Sequence, residues 1–257
     1  MRNAEGENKV IESQAPNKTR LLYKPIVQIL LIVVTGLIAY SNTFRVPFQF
    51  DDYNYIIDNH KLRDLSNLWP PTGSRWAGFL TFALNYKFGG LSVTDYHIVN
   101  IIIHIINALL VYRLVLLTFQ TPYFNLHPST FNPRPSLIAL FSSLLFVSHP
   151  VQTQAVTYIV QRFTSTAVMF YLLSLVMYVK FRTQNTEHRT QSTDKRQKIF
   201  SLSSVFWYLG SVLSAVLAMK TKEIAFTLPF IIVLYEFSFF TLNSECKIPP
   251  HPPLSKG

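Results

Sequence analysis

Apolar residues in this chain are gathered in long blocks separated by short polar segments. The first block, "PIVQILLIVVTGLIAYSNT", opens at Pro25. A helix that crosses a bilayer needs about 20 predominantly apolar residues, and this block supplies them. Proline suits a first helical position, where its missing N–H is not needed. A second block, "YHIVNIIIHIINALLVYRLVLLTF", fills residues 96–119, and a third runs from Leu137 to about Val147. There His149-Pro150 interrupts the pattern, and a proline inside an apolar run ends or kinks the helix before it. A short amphipathic segment closed by Arg162 follows. Three more blocks are "TSTAVMFYLLSLVMYVK", "IFSLSSVFWYLGSVLSAVLAM" and "IAFTLPFIIVLYEFSFFTL". The pattern predicts an all-α polytopic membrane protein with a bundle of about six spans.

The polar segments set the expected topology. Residues 1–24 carry Arg2, Lys9, Lys18, Arg20 and Lys24 and show no cleavable signal peptide. Basic loops stay in the cytoplasm, so the N-terminus is expected there. Residues 25–242 form the transmembrane domain. Residues 44–96 then make a long external loop holding Asp51-Asp52, "WPPTGSRW" and the amphipathic "GFLTFALNYKFGG", a piece suited to the interface plane. Structureless loops this long are uncommon and usually functional, so the length and aromatic content of this one suggest an ordered loop. Residues 182–198 are polar and mostly basic, and both the charge rule and the span count place them in the cytoplasm. A Pro-rich tail, 243–257, ends the chain.

Composition narrows the class. Only 14% of residues are charged and 49% are hydrophobic, for a net charge of +10. The basic residues collect at block ends and in one connecting segment, so they read as topology signals and no nucleic-acid partner is expected. The single Cys246 excludes an internal disulfide framework and a cysteine metal site.

Two polar patterns bear on chemistry. His97, Asn100, His104 and Asn107 share one face of the second helix. Polar groups facing lipid are costly, so this stripe should face the bundle interior. It either bonds helices together or lines a substrate path, and an intramembrane stripe beside interrupted helices also suits a transporter. The second pattern is a convergence. Asp51-Asp52, the segment from His149 to Arg162, and Lys220 to Glu223 fall on the same side of the membrane. Singly they read as a turn or cap, a helix terminator and interface residues. Together, a carboxylate beside cations suits a base that takes a hydroxyl proton while the cations stabilise a phosphate leaving group. Sugar transfer from a lipid-phosphate carrier needs both parts. It needs no soluble nucleotide donor, in keeping with the absence of a dinucleotide fingerprint.

The stretches "FQFDDYNYIIDN", "LTFALNYKFGGLSVTDYHIVNIIIHIINALLVYRL", "SLLFVSHPVQTQAVTYIVQRFTSTAVMFYLLSLVMYV" and "KTKEIAFTLPFIIVLYEF" resemble the transmembrane and TPR-repeat-containing O-mannosyltransferase family and its bacterial relatives, of the GT-C glycosyltransferase superfamily. The wording looks closer to bacterial members, which favours a bacterial inner membrane over the endoplasmic reticulum. The resemblance covers roughly residues 25–240 and implies a GT-C-like bundle. It also implies a polyprenyl- or dolichyl-phosphate-linked sugar as donor, mannose in the animal members, and a protein or glycan hydroxyl as acceptor. It further implies a catalytic carboxylate in the first external loop. By position that is Asp51, with Asp52 orienting the acceptor or helping to hold a divalent metal; no cofactor is otherwise implied. Arg162 and Lys222 are expected at the donor phosphate, with His149, Glu223 and His104 as supporting polar residues. Family members continue with further spans and a TPR array, whereas this chain stops after about six spans. A fragment or a truncated, non-catalytic homologue is therefore the alternative, alongside a lipid or solute transporter.

Overall fold

The computed structural model describes residues 21–126, 134–191 and 202–240. The basic leader over residues 1–20, residues 192–198 of the polar loop and the tail from 243 lie outside the described residues. Nine α-helices organise the rest: α1 Pro25–Ala39, α2 Trp76–Gly89, α3 Val93–Thr118, α4 Pro122–Leu126, α5 Pro135–Ser148, α6 Thr153–Thr157, α7 Arg162–Gln191, α8 Leu202–Met219 and α9 Leu228–Phe239. Short 3-10 and π turns join them, and no strand occurs among the described residues.

Among the described residues three helical stretches are long and apolar enough to cross a membrane: Val93–Thr118, Ile159–Thr186 and Leu202–Met219. The pair Pro135–Ser148 and Pro150–Thr157, bent by 49°, adds a fourth if it is one broken span. α1, at 15 residues, and α9, at 12, are shorter. At 1.5 Å per residue α1 rises about 22 Å, against roughly 30 Å of hydrocarbon. Six spans therefore remain an expectation rather than a count. α7 extends past Lys180 to Gln191, into the segment expected as a loop. "RTQNTEHRTQ" contains no proline or glycine, and polarity alone does not end a helix.

α3 runs through the middle of the bundle. One of its faces, with α1 and α5, buries Ile32, Ala108, Tyr112, Ala139, Leu140 and Val147. Further along, Leu117 of α3 packs with Leu175, Val176 and Val179 of α7 and with Phe240. α8 joins α7 through a reciprocal serine contact. Ser174 Oγ donates to the Ser211 carbonyl and Ser211 Oγ to the Ser174 carbonyl, both at 2.9 Å. Small hydroxylated residues allow such close approach where helix association gains nothing from leaving water. α9 is tied by polar groups: Glu236 accepts from Tyr178 Oη at 2.7 Å and from Arg182 Nε at 2.9 Å. Outward faces of α1, α8 and α9 expose large apolar residues such as Ile38, Leu202, Leu213, Phe230 and Val233, as lipid contact requires.

The long loop is folded onto one end of this bundle. Ile56, Leu62, Phe82, Ala83 and Tyr96 form a core with Ile159, Val160 and Phe163. Gly78 of α2 allows the approach of Phe163, since a Cβ there would lie 2.2 Å from Phe163 Cδ1. Asn59 and Asp64 cap the 3-10 turns His60–Arg63 and Leu65–Leu68, accepting from Lys61 N and Ser66 N. The Asp64 carboxyl is held below its ordinary pKa by the Ser66 N–H and hydroxyl.

Candidate active site at the folded loop

The two aspartates of "FQFDDYNYIIDN" have different tasks. Asp52 is buried. Its Oδ2 accepts from Gln49 N at 2.9 Å and its Oδ1 from Val160 N at 2.7 Å. One carboxylate thus clamps the loop to the broken stretch between α6 and α7. Burial pushes the Asp52 pKa up, and the two backbone N–H groups and His97 pull back only in part. Asp51 is exposed. Its backbone N–H donates to Tyr158 Oη at 3.0 Å. Phe50, just before it, has a φ of 45°, a left-handed conformation that a bulky L-residue rarely adopts. Such strain persists where surrounding contacts over-determine it. Here the Asp52 clamp fixes one side, and the Tyr158 ring, edge-on to Phe50 at 6.3 Å, fixes the other. The chain then turns into the π-helical Tyr53–Ile57.

A cleft of about 320 Å³ opens beside the pair, between the extended residues 46–49 and α6. Its walls include Asp52 as well as Val46, Pro47, Gln49, Gln154, Thr157 and Tyr158, and Asp51 adjoins it through Tyr158.

Two cations lie near the π-helical turn Tyr53–Ile57 and the start of α7. Arg75 donates to Tyr55 Oη at 3.3 Å and pairs with Glu223 at 3.5 Å. Lys222 Nζ donates to Thr164 Oγ1 at 2.6 Å, and Thr164 donates to Gln161 Oε1 at 2.7 Å. Ala77 N donates to the Lys220 carbonyl at 3.1 Å, docking α2 on this turn. Glu223 is held below its ordinary pKa, first by its own backbone N–H and then by Arg75 and Lys222. The three polar segments that converge in the sequence reading therefore meet at one end of the bundle. Arg75, Tyr55 and Tyr158 join them. Arg75 was legible as one more cation in the loop expected outside, whereas no local pattern singles out Tyr55 or Tyr158.

Arg162, expected at the donor phosphate, lies fully buried. Its Nε donates to Asn100 Oδ1 at 2.6 Å, and its other nitrogens donate to the carbonyls of Tyr96 at 2.8 Å and Thr81 at 3.5 Å. Its guanidinium lies over the rings of Phe82 and Tyr96, at 4.5 and 5.2 Å. A phosphate outside has no access to it in this arrangement. Arg162 instead binds α2, α3 and α7 beneath the site. A charge placed at the end of an apolar block reveals its position along the chain but not its depth.

His149 is exposed, and its Nδ1 accepts from Val151 N at 3.2 Å, capping the turn Pro150–Gln152. This leaves the Val147 carbonyl without its usual helical donor. His104 Nε2 supplies one at 3.1 Å. The rest of the stripe behaves alike. His97 Nε2 donates to Val46 O at 2.8 Å, Asn100 Nδ2 to Val156 O at 3.2 Å and Ile159 O at 3.3 Å, and Asn107 Nδ2 to Ser165 O at 2.9 Å. His97 thus ties α3 to the extended stretch 46–49, and the other three tie it to α5, to the broken stretch and to α7. Among the described residues no three His, Cys, Asp or Glu side chains gather as a metal site. Each Asp52 oxygen accepts one backbone N–H.

Comparison with known proteins gives a consistent set of relatives. Protein O-mannosyl-transferase tmtc2 of Xenopus laevis is 30% identical over 227 residues, 82% of this chain and 24% of the relative. Protein O-mannosyl-transferase TMTC4 of Homo sapiens is 31% identical over 212 residues, 76% and 27% respectively. Protein O-mannosyl-transferase Tmtc3 of Drosophila melanogaster is 27% identical over 247 residues, 88% and 26%. The chain spans about a quarter of the length of these relatives. No family model and no solved structure matches. These relatives are animal proteins, so the bacterial leaning of the sequence reading has no support from them.

Proposed function

Because this chain is a homologue of the TMTC protein O-mannosyl-transferases, we propose that it is the catalytic membrane part of a glycosyltransferase with Asp51 as its base. The observation that carries this reading is the division of labour in the aspartate pair. Asp52 spends both oxygens on the backbone and lines the cleft, whereas Asp51 stands exposed, its N–H on Tyr158 of the cleft wall, with Arg75 held on Tyr55 of the turn that follows. The donor is a dolichyl-phosphate-linked mannose and the acceptor a Ser or Thr hydroxyl of a polypeptide. The N-terminus lies in the cytoplasm and the site faces the lumen of the endoplasmic reticulum.

The chemistry is a single in-line displacement with inversion. Asp51 takes the proton of the acceptor hydroxyl as its oxygen bonds to the anomeric carbon. The bond from that carbon to the phosphate oxygen breaks, and its electron pair leaves with the phosphate. Lys222 and Arg75 stabilise the charge that builds there, Lys222 as a point charge and Arg75 as a planar fork. Thr164 and Glu223 hold the two cations in place, and Arg162 positions the backbone beneath them.

The test is Asp51→Asn in the protein expressed in its native membrane. Mannose transfer from the dolichyl-phosphate donor is expected to vanish while expression and insertion match the parent. Transfer at the parental rate would make the assignment wrong. The transporter alternative leaned on the His and Asn stripe, whose donors are engaged by backbone carbonyls.

A further inference from the structure

The cleft lined by Asp52 and Tyr158 differs in character from the surroundings of Arg75 and Lys222. Its walls carry amides and hydroxyls, from Gln49, Gln154, Thr157 and Tyr158, and an apolar patch from Val46 and Pro47. Among the described residues no Lys or Arg side chain lines it. A phosphate would find no counter-charge there, and Asp52 in its wall would repel it. A neutral ligand bearing hydroxyl and amide groups finds partners on both walls, because Gln and Thr side chains both donate and accept.

Tyr158 links this cleft to Asp51. Its hydroxyl oxygen accepts the Asp51 N–H at 3.0 Å. The same hydroxyl keeps its own proton, which it can donate to a ligand oxygen or to the Asp51 carboxylate. The ring meanwhile braces Phe50, whose φ of 45° sets the direction in which Asp51 leaves the loop.

We infer that this cleft is the acceptor subsite, holding an extended Thr- or Ser-bearing peptide against Gln154 and Thr157, with Tyr158 positioning Asp51 toward the acceptor hydroxyl. This rests on the proposed function for the identity of the acceptor. The apolar patch adds a selectivity. A Thr methyl laid against Val46 and Pro47 removes about one methyl group from water, which favours Thr over Ser about fourfold.

The experiment measures binding rather than turnover. The chain is reconstituted in lipid nanodiscs and titrated with a fluorescein-labelled Thr-rich peptide, its Ser counterpart and its Val counterpart. The parent is expected to bind the Thr peptide in preference to the Ser peptide and to bind the Val peptide at least tenfold more weakly. Gln154→Ala combined with Thr157→Val is expected to weaken Thr-peptide binding about tenfold, and Tyr158→Phe to weaken it severalfold. Both wall residues touch solvent, so folding is checked by the unchanged helical circular dichroism. No Thr-peptide binding by the parent, or binding unchanged in the double variant, overturns the inference. Where transfer is measurable, Tyr158→Phe should lower kcat and shift its acid limb while donor KM stays put; an unaltered pH profile would deny the positioning role. The two readings separate cleanly. Loss of transfer in Asp51→Asn with binding indifferent to the cleft variants overturns only this inference. Cleft-dependent binding in a protein that transfers no sugar overturns only the proposed function.

Discussion

Asp52→Ala removes a buried carboxylate that holds the loop to the broken helix, and its cost can be worked from two hydrogen bonds. The Val160 N–H is bonded to Oδ1 at 2.7 Å in a residue only 6% exposed. Losing that acceptor leaves a buried donor unsatisfied, which costs about 1–3 kcal/mol. The Gln49 N–H belongs to an exposed residue, so water replaces Oδ2 there at small cost. Removing a desolvated carboxylate returns part of the loss. The net local destabilisation is about 2 kcal/mol, or roughly 30-fold in the opening equilibrium. Amide hydrogen exchange read by mass spectrometry should therefore show peptides covering Val160 and Asp51 exchanging roughly 30-fold faster in Asp52→Ala. Peptides of α8 and α9 should be unchanged. Asp52→Asn keeps one acceptor and turns a donor toward the other N–H, so it should fall between parent and Ala. Unaltered exchange at Val160 in Asp52→Ala would refute the clamp, and with it the account of why Asp51 alone is presented.

Other variants probe separate parts of the construction. His104→Leu strips the Val147 carbonyl of its donor at the helix break and should destabilise the bundle by about 1–3 kcal/mol in a denaturant titration. Stability equal to the parent would mean that the break is satisfied otherwise. Gly78→Ala places a methyl 2.2 Å from the Phe163 ring and should cost at least the roughly 1–3 kcal/mol typical of overpacking, seen as a lowered thermal midpoint in nanodiscs. The Asp52 pKa is raised by burial, so between the ordinary carboxylate value and that raised value the folded state holds the proton more tightly. Stability contributed by this group then falls as pH rises through the raised value. Acidification from neutral should slow exchange at Val160 in the parent, after correction for intrinsic rates, and should not do so in Asp52→Asn.

The blocks of apolar residues marked α1, α3, α5, α7 and α8 with little ambiguity, because lipid leaves helices as the economical way to satisfy the backbone. The break after Ser148 was equally legible, since Pro150 lacks an N–H and the preceding residue avoids helical geometry. Ends of helices were less so. The polar run after Lys180 looks like a loop by composition, yet nothing in it opposes the helical backbone. The site was legible only as three segments on one side. What the pattern along the chain could not convey was depth. Asp51 and Asp52 are adjacent in sequence and equal in charge, and what separates them is the Val160 N–H, 108 residues away, which together with the Gln49 N–H claims one of them. Arg162 and Lys222 both follow or precede apolar blocks, and only the packing of Phe82 and Tyr96 over the guanidinium shows that the first is internal.

The His and Asn stripe of α3 ties these observations together. A site at the end of a helical bundle needs irregular backbone, because a continuous helix offers no free N–H to hold a carboxylate and no turn to form a cleft. Each interruption also frees carbonyl oxygens, and near lipid a freed carbonyl must be satisfied from within. The interruptions at Val46, Val147, Val156 and Ile159 free carbonyls in this way, and α3 meets them with His97, His104 and Asn100. Arg162, on the far side, supplies donors to Asn100 and to Tyr96. The stripe therefore does not need to touch a substrate to be required for the site. It makes possible the broken stretch from His149 to Arg162, on which both the Val160 N–H and the Tyr158 hydroxyl depend. A leucine at any of these positions should loosen Asp51 without contacting it, and the nearer that position lies to Val160 the more the Asp51 peptide should gain in exchange.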